Sequence, residues 1–313
     1  MDKKTVLLIG GGGTLGTYTA QELLALGHNV DVICREEKAS DNERLTFYQA
    51  NATVEYLEQH FQKKQYDGIV NFLLYSDAGI YPPYHELLIK NTKHLIVVSS
   101  YRVYADLEHP ITENAPMLLD VSEDEGFLQT EKYALSKAKL ERYLRSECAG
   151  QNWTIVRPVI SFSKYRFDLF TYSRATVIDR TKRGETIPLP IEAKALHAGL
   201  DWSGNSGKLI ANLLFHENAI GEAYTVSSAQ NLTWGEVAEI YSEVMGAKIS
   251  WVPLEEFQNA ADRAKNYILI YDRLFDRLID NSKILRETKL TAGDFLSIKE
   301  GLIIERDKYF GKE

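Results

Sequence analysis

The stretch Val6-Leu7-Leu8-Ile9-Gly10-Gly11-Gly12-Gly13-Thr14-Leu15-Gly16 runs from four apolar residues into a glycine turn, and then into a helical pattern over Thr14–Leu26. Gly27 closes that pattern, and the apolar run Val30–Cys34 follows. Gly10, Gly13 and Gly16 have GxxGxxG spacing, while Gly11, Gly13 and Gly16 have GxGxxG. A side chain at such a turn would hold the backbone away from a pyrophosphate, and one at the helix base would wedge helix from strand. The N–H groups opening the Thr14 helix then face an anion. Glycines alone would make only a flexible turn. Their place between strand, helix and second strand points to dinucleotide binding, with Gly10, Gly11, Gly13, Thr14, Leu15 and Gly16 as the cradle.

Outward from this turn, short apolar runs alternate with helical stretches. Gly68–Leu74, His94–Ser99 and Thr154–Arg157 read as further strands; Val54–Lys64, Tyr84–Asn91 and Thr130–Cys148 read as helices. Alternation at this spacing predicts an α/β fold, a Rossmann-type doubly wound parallel sheet covered on both faces. Residues 1–158 are expected to form it. Residues 159–313 are expected to form mainly a smaller, partly discontinuous α/β substrate lobe, with some segments returning to the first sheet. There Phe167–Arg183 looks helical, Gly207–Phe215 begins an apolar segment, and Thr233–Met245 is a helix with Thr233 as cap, Glu236 three residues on and Gly246 at its end.

The 313 residues suffice for more than one folding unit. The N-terminus leads straight into Val6–Ile9, and no run approaches membrane-spanning length, so a cytoplasmic protein without membrane contact is expected. Cys34 and Cys148 need no disulfide, and no Cys/His cluster has metal-ligand spacing. A formal net charge of −8 disfavours nucleic acid, whose binding needs Lys and Arg to displace phosphate counterions.

The end of the second strand chooses between dinucleotides. A carboxylate there would hydrogen-bond the ribose hydroxyls of NAD, whereas a basic residue accommodates the 2′-phosphate of NADP. The sequence reads Val30-Asp31-Val32-Ile33-Cys34-Arg35, with Asp31 too early, Cys34 at the acid's place, Arg35 next and Lys38 nearby. Arg offers a phosphate a two-pronged fork, so the reading leans to NADP over NAD, against a solvated strand-end charge as the plainer account of Arg35.

Val97-Val98-Ser99-Ser100 ends the fourth strand, and Tyr133-Ala134-Leu135-Ser136-Lys137 lies in a helical run. Residues four apart share a helix face. A free phenol ionises near ~10 and is no base at neutral pH. A nearby ammonium and the positive ring of an oxidised nicotinamide favour the phenolate. Tyr133 is therefore the candidate acid/base and Lys137 its charged partner, also anchoring the nicotinamide ribose; Ser100 would hold the substrate oxygen. A Tyr and a Lys at this spacing also arise by chance on amphipathic helices; the preceding glycine turn and strand-end serines favour chemistry.

Together these residues resemble the extended short-chain dehydrogenase/reductase superfamily, in its NAD-dependent epimerase/dehydratase branch. The likeness rests on Gly10–Gly16, Ser99-Ser100…Val103-Tyr104, Tyr133–Lys137 and Thr154-Ile155-Val156-Arg157-Pro158, with softer echoes at Gly221–Tyr224, Leu232–Trp234 and Asp280–Lys283. It implies a Rossmann domain, bound NAD(P), a Ser100/Tyr133/Lys137 triad of which Tyr133 and Lys137 also contact the cofactor, Pro158 beginning the loop beside the nicotinamide, and a lobe that often binds nucleotide-sugars. It also implies a homodimer through helices including the Tyr-Lys one. Asn51 stands where an adenine-contacting Asp is usual, and Tyr75 is bulky where the cofactor normally passes. His197-Ala198-Gly199-Leu200-Asp201 replaces the usual His-Val-Asp-Asp-like segment. The expected function is therefore an NAD(P)-dependent oxidoreductase or epimerase acting on a hydroxyl or carbonyl carbon of a small molecule, a nucleotide-sugar or related polyol. The alternative is a cofactor-binding regulator of the same fold without turnover. An atypical subgroup of the branch, with chloroplast stem-loop-binding proteins, suggests an RNA-associated role for it.

Among other residues, His109, His197 and His216 read as surface or core-edge groups, and Trp202 and Trp234 as packing. Glu123-Asp124-Glu125 reads as loop charge, Ile111–Phe127 as a lid, and Arg166 and Arg174 as helix charge or receivers of a substrate phosphate.

Overall fold

The computed structural model describes residues 3–73, 81–259 and 266–311. In chain order its first half holds β1 (Thr5–Ile9), α1 (Thr14–Ala25), β2 (Asn29–Cys34), β3 (Leu45–Gln49), α2 (Val54–Lys63), β4 (Gly68–Asn71), α3 (Tyr81–Lys90) and β5 (His94–Val98). Then come α4 (Leu118–Val121), α5 (Glu125–Thr130), α6 (Tyr133–Glu147), β6 (Trp153–Pro158) and β7 (Ile160–Phe162). The remainder holds α7 (Arg174–Arg183), β8 (Thr186–Pro190), β9 (Leu200–Trp202), α8 (Ser203–Leu213), β10 (Ala223–Val226), α9 (Trp234–Met245) and β11 (Lys248–Val252). It closes with α10 (Leu254–Asn259), α11 (Ser282–Thr288) and α12 (Ile298–Phe310).

Seven parallel strands form one sheet in the order β10-β6-β5-β4-β1-β2-β3. Parallel neighbours need crossovers, and the helices between them cover both faces. Along β1, Val6 and Leu8 face a core shared with Leu23 of α1, Leu209 of α8 and Ile284 of α11. Leu7 and Ile9 face the opposite core, with Leu57 of α2, Leu88 of α3 and Leu140 of α6. The chain reverses its direction of travel across the sheet at β1 and β4, so the carboxyl ends of these strands open a crevice.

From the second half, β10 pairs with β6 from Ala223↔Ile155 to Val226↔Pro158. The rest builds a third, aromatic core around Phe162, Phe167, Phe170, Trp234, Tyr241 and Phe257, flanked by the pairs β7–β9 and β8–β11. The α9 helix begins at Trp234 with a Thr233/Glu236 capping box and ends on a left-handed Gly246, as its sequence predicts.

Three expectations need correction. β3 is a strand that the reading of the first half passed over; it lies at the sheet edge and is only half-buried, so its apolar content is modest. The single helix expected over Thr130–Cys148 is two. Glu131 is extended, and its carboxylate accepts from the Leu135 backbone N–H (3.2 Å) while pairing with Arg102, so α6 starts at Tyr133. Phe167–Arg183 is helical only from Arg174. Ser173 caps that helix, and the preceding Phe167, Leu169 and Phe170 turn into the core, with Phe170 in a left-handed conformation.

Candidate active site

Gly10 has φ of 74°, and its N–H donates to the Ile33 carbonyl (2.8 Å), tying the turn to β2. A Cβ on Gly16 would lie 2.3 Å from the Gly11 backbone, so α1 can pass over the turn only as glycine. Gly13 precedes α1 and faces open space; no side chain caps the helix and no acid sits in its first turn. Bare, uncapped amides at a helix start suit a pyrophosphate. Two cavities flank this turn and share Gly10 and Gly13.

One cavity, of about 570 Å³, includes Arg35, Glu36, Asn51 and Thr53 in its lining. The structure brings Arg35 and Asn51 together in this lining. Glu36 was not foreseen; its carboxylate reaches the turn, since a Cβ on Gly12 would lie 3.2 Å from Oε2. Lys38 Nζ donates to the Gly12 carbonyl (2.5 Å). Asp31 is buried and engaged by Tyr66 and Lys64, away from any ligand role.

The other cavity, of about 400 Å³, is lined by Gly10, Gly13, Thr14, Leu15 and Gly16 together with Ser100, Tyr133, Lys137 and Pro158. Gly11 lines neither cavity; it serves the contact beneath Gly16. Ser100 follows β5, and its Oγ accepts from the Arg102 N–H (3.2 Å). Tyr133 opens α6 with 40 % of its surface exposed, and the Arg102 guanidinium lies over its ring at 5.1 Å. Lys137, one turn on, is 2 % exposed and donates from Nζ to the Val98 carbonyl. Burial pushes its ammonium down to about 8, with Glu141 opposing. Below it, Glu141 accepts from Ser99 Oγ and from both Nε and Nη2 of Arg157, whose Nη1 donates to Tyr104 Oη (2.7 Å). The Ser99, Tyr104 and Arg157 positions quoted for the resemblance are therefore one buried network that braces α6 against β5 and β6.

The far wall of this cavity comes from Leu269–Arg273, a π-helical turn that no motif announced. Asp272 there accepts from Tyr101 Oη (2.6 Å), pairs with Arg273, and lies 3.5 Å from Arg277 and 3.6 Å from Arg102. Burial alone would raise its carboxyl, but the guanidinium groups of Arg273, Arg277 and Arg102 hold it below the usual range. The expected lid is thus displaced: no residue of Ile111–Phe127 lines the cavity, and Ile111 and Phe127 are buried.

Arg166 lines the cavity and is paired with Asp168, whereas Arg174 donates to the Lys164 carbonyl and does not line it. His109, His197 and His216 sit against Asp106, Asp276 and Glu287, outside both linings. Trp202 and Trp234 pack on Tyr18 and Phe170. Asp124 caps α5. Tyr75 lies outside the described residues. Among the described residues no His/Cys/Asp/Glu group could hold a metal, both cysteines are free, and no helix is long and apolar enough to cross a membrane.

A family model described as NAD(P)H-binding matches residues 10–166, half of the chain, including the glycine turn and the Ser-Tyr-Lys set. The chain belongs to this NAD(P)H-binding family. Solved epimerases are among the structures it resembles in fold. An epimerase from Methanothermobacter thermautotrophicus superposes with a TM-score of 0.73 at 17 % identity, over 99 % of this chain and 93 % of that one. The UDP-glucose 4-epimerase of Thermus thermophilus, in complex with NAD, gives 0.67 at 17 % identity over 99 % and 100 %. At such identities the likeness is one of fold. The UDP-glucose 4-epimerase of Lacticaseibacillus casei is 36 % identical over 77 residues, so the match spans 23 % of this NAD(P)H-binding chain and 23 % of that enzyme.

Proposed function

We propose that this protein is an NAD(P)-dependent oxidoreductase or epimerase that works at a hydroxyl or carbonyl carbon. The supporting observation is that Ser100, Tyr133 and Lys137 line the same cavity as the glycine turn. When bound, a nicotinamide dinucleotide supplies the two-electron hydride step. The protein's own side chains handle the proton and the geometry. Ser100 donates a hydrogen bond to the substrate oxygen and holds it at Tyr133. Tyr133 takes the proton from a substrate alcohol, or returns it to an alkoxide. Lys137, with its ammonium fixed by Val98, supplies the positive charge one helical turn away. Dinucleotide retained through purification marks the epimerase form of this chemistry, and consumption of added NADPH marks the reductase form.

The dinucleotide we infer is NADP. Arg35 offers its fork in the adenosine cavity and Lys38 stands at the turn, against the single carboxylate of Glu36. The substrate we infer is a nucleotide-sugar or related polyol, on the strength of the fold shared with epimerases acting on UDP-glucose. The protein we infer works as a homodimer in the cytoplasm; light scattering of the purified chain checks the first of these.

Tyr133→Phe removes only the titrating oxygen. It is expected to lower turnover by about 10²–10⁴ and leave the dinucleotide dissociation constant unchanged. Turnover that survives the substitution removes Tyr133 as the acid/base, and a wild-type protein that binds dinucleotide yet turns over no hydroxyl or carbonyl compound favours the regulatory reading instead.

A further inference from the structure

The cavity beside Tyr133 is cationic in an acidic protein. Among the described residues, Arg102, Lys137, Arg166 and Arg273 line it against one carboxylate, Asp272. The whole chain carries −8, so this sign is local. Lys137 is committed to Val98, and Arg166 to Asp168. Arg166 also stands three residues from Ser163, whose Oγ touches Thr14 Oγ1 (3.2 Å), which puts it on the glycine-turn side. Arg273 is partly engaged, its Nε donating to the Phe170 carbonyl (2.8 Å) and its Nη1 to Asp272 and Tyr101, so Arg102 is the least committed of the four, with Arg273 beside it in the lining.

Arg102 is more than Asp272 needs. Arg273 and Arg277 already flank that carboxylate, and Tyr101 donates to it. Arg102 adds a third guanidinium at 3.6 Å, too long for a hydrogen bond. Its Nη2 reaches Glu131 (3.3 Å), but its Nε is buried and has no hydrogen-bond partner. That Nε faces Asp272 Oδ2 at 3.6 Å, so its hydrogen-bonding capacity is only part-met. The same group covers the ring of the proposed acid/base. Two arginines in one cavity lining, one of them under-bonded, offer guanidinium forks suited to a planar carboxylate or a phosphate.

We propose that the substrate of this site carries a carboxylate or phosphate close to the carbon that exchanges hydride, and that Arg102 and Arg273 hold it. The inference rests on the cavity being the substrate site, as proposed above. The anion fixes the substrate's orientation, and the local positive field draws it into the cavity.

The test uses dinucleotide-loaded Tyr133→Phe protein, whose chemistry is disabled, so that binding is read independently of turnover. Calorimetry compares glucose with glucuronate and glucose 6-phosphate, and UDP-glucose with UDP-glucuronate. The charged member of a set is expected to bind about tenfold tighter or more. A preference for glucuronate identifies the carboxylate, and one for glucose 6-phosphate the phosphate. Adding Arg102→Gln should erase the preference and leave dinucleotide affinity unchanged. Arg102→Lys, which keeps charge but loses the fork, should restore part of it. Arg273→Gln, which leaves Asp272 its other two arginines, should act like Arg102→Gln. Equal affinity for charged and neutral members, no binding by any charged member, or a preference that survives both glutamine variants overturns the proposal. Loss of wild-type turnover on Tyr133→Phe is scored separately and bears only on the redox reading.

Discussion

Tyr133 and Lys137 share one helix face but live in different media, the phenol 40 % exposed and the ammonium 2 % exposed. Burial that depresses Lys137 to about 8 is a cost of folding with that charge. Between the folded value and the ordinary one near 10.5 the unfolded chain holds more protons. The Lys137 contribution to stability therefore rises with pH through that window, and its penalty is complete below it. Lys137→Met is expected to gain on wild type at about pH 7.5 and to lose about 2 kcal/mol of that relative gain by about pH 9.5. Urea unfolding at the two pH values measures the difference; a difference independent of pH sinks the account. The Tyr-x-x-x-Lys spacing was readable because it is local. Arg273 was not, since nothing near it in the chain says that a turn some 140 residues on closes over Tyr133.

At the scale of elements, the strands and the capped α9 were legible because apolar runs and capping boxes are short-range patterns. The start of α6 was not. A helical pattern runs through Glu131 and Lys132, and only the ion pair to Arg102 and the turn of Glu131 onto Leu135 N–H end it there. In the second half of the chain, Asp201 ties β9 to α8 and to the loop after β10. It accepts from Trp202 N–H (2.8 Å), Asn205 Nδ2 (2.8 Å), and both N–H (2.6 Å) and Oγ (3.0 Å) of Ser228. Burial pushes its carboxyl up to about 6 even so. Asp201→Ala strands these donors, so a loss of about 3 kcal/mol or more is expected. Denaturant midpoints test this, and a loss below about 1 kcal/mol would show that water replaces the carboxylate.

On the scale of the whole molecule, the two cavities share, among the described residues, only Gly10 and Gly13 of the glycine turn, so one dinucleotide would bridge the Arg35 side to the Tyr133 side. A ligand bound by the native state alone raises its stability, by about 2.7 kcal/mol at a hundredfold excess over the dissociation constant. NADP at matched concentration should raise the thermal midpoint more than NAD. Arg35→Leu should shrink the NADP shift and spare that of NAD; a larger shift with NAD in wild type removes the Arg35 argument. The amino-acid sequence alone determined the parallel α/β sheet, the glycine cradle and the Ser-Tyr-Lys spacing, because strand alternation, a left-handed glycine and residues one helical turn apart are properties of contiguous chain. Only the tertiary structure decided that β10 completes the sheet, that Glu36 shares a cavity with Arg35 and Asn51, and that Asp272 and Arg273 wall the Tyr133 cavity with surplus positive charge. Those contacts join segments far apart in the chain, and no periodicity within either segment encodes the partner it will meet.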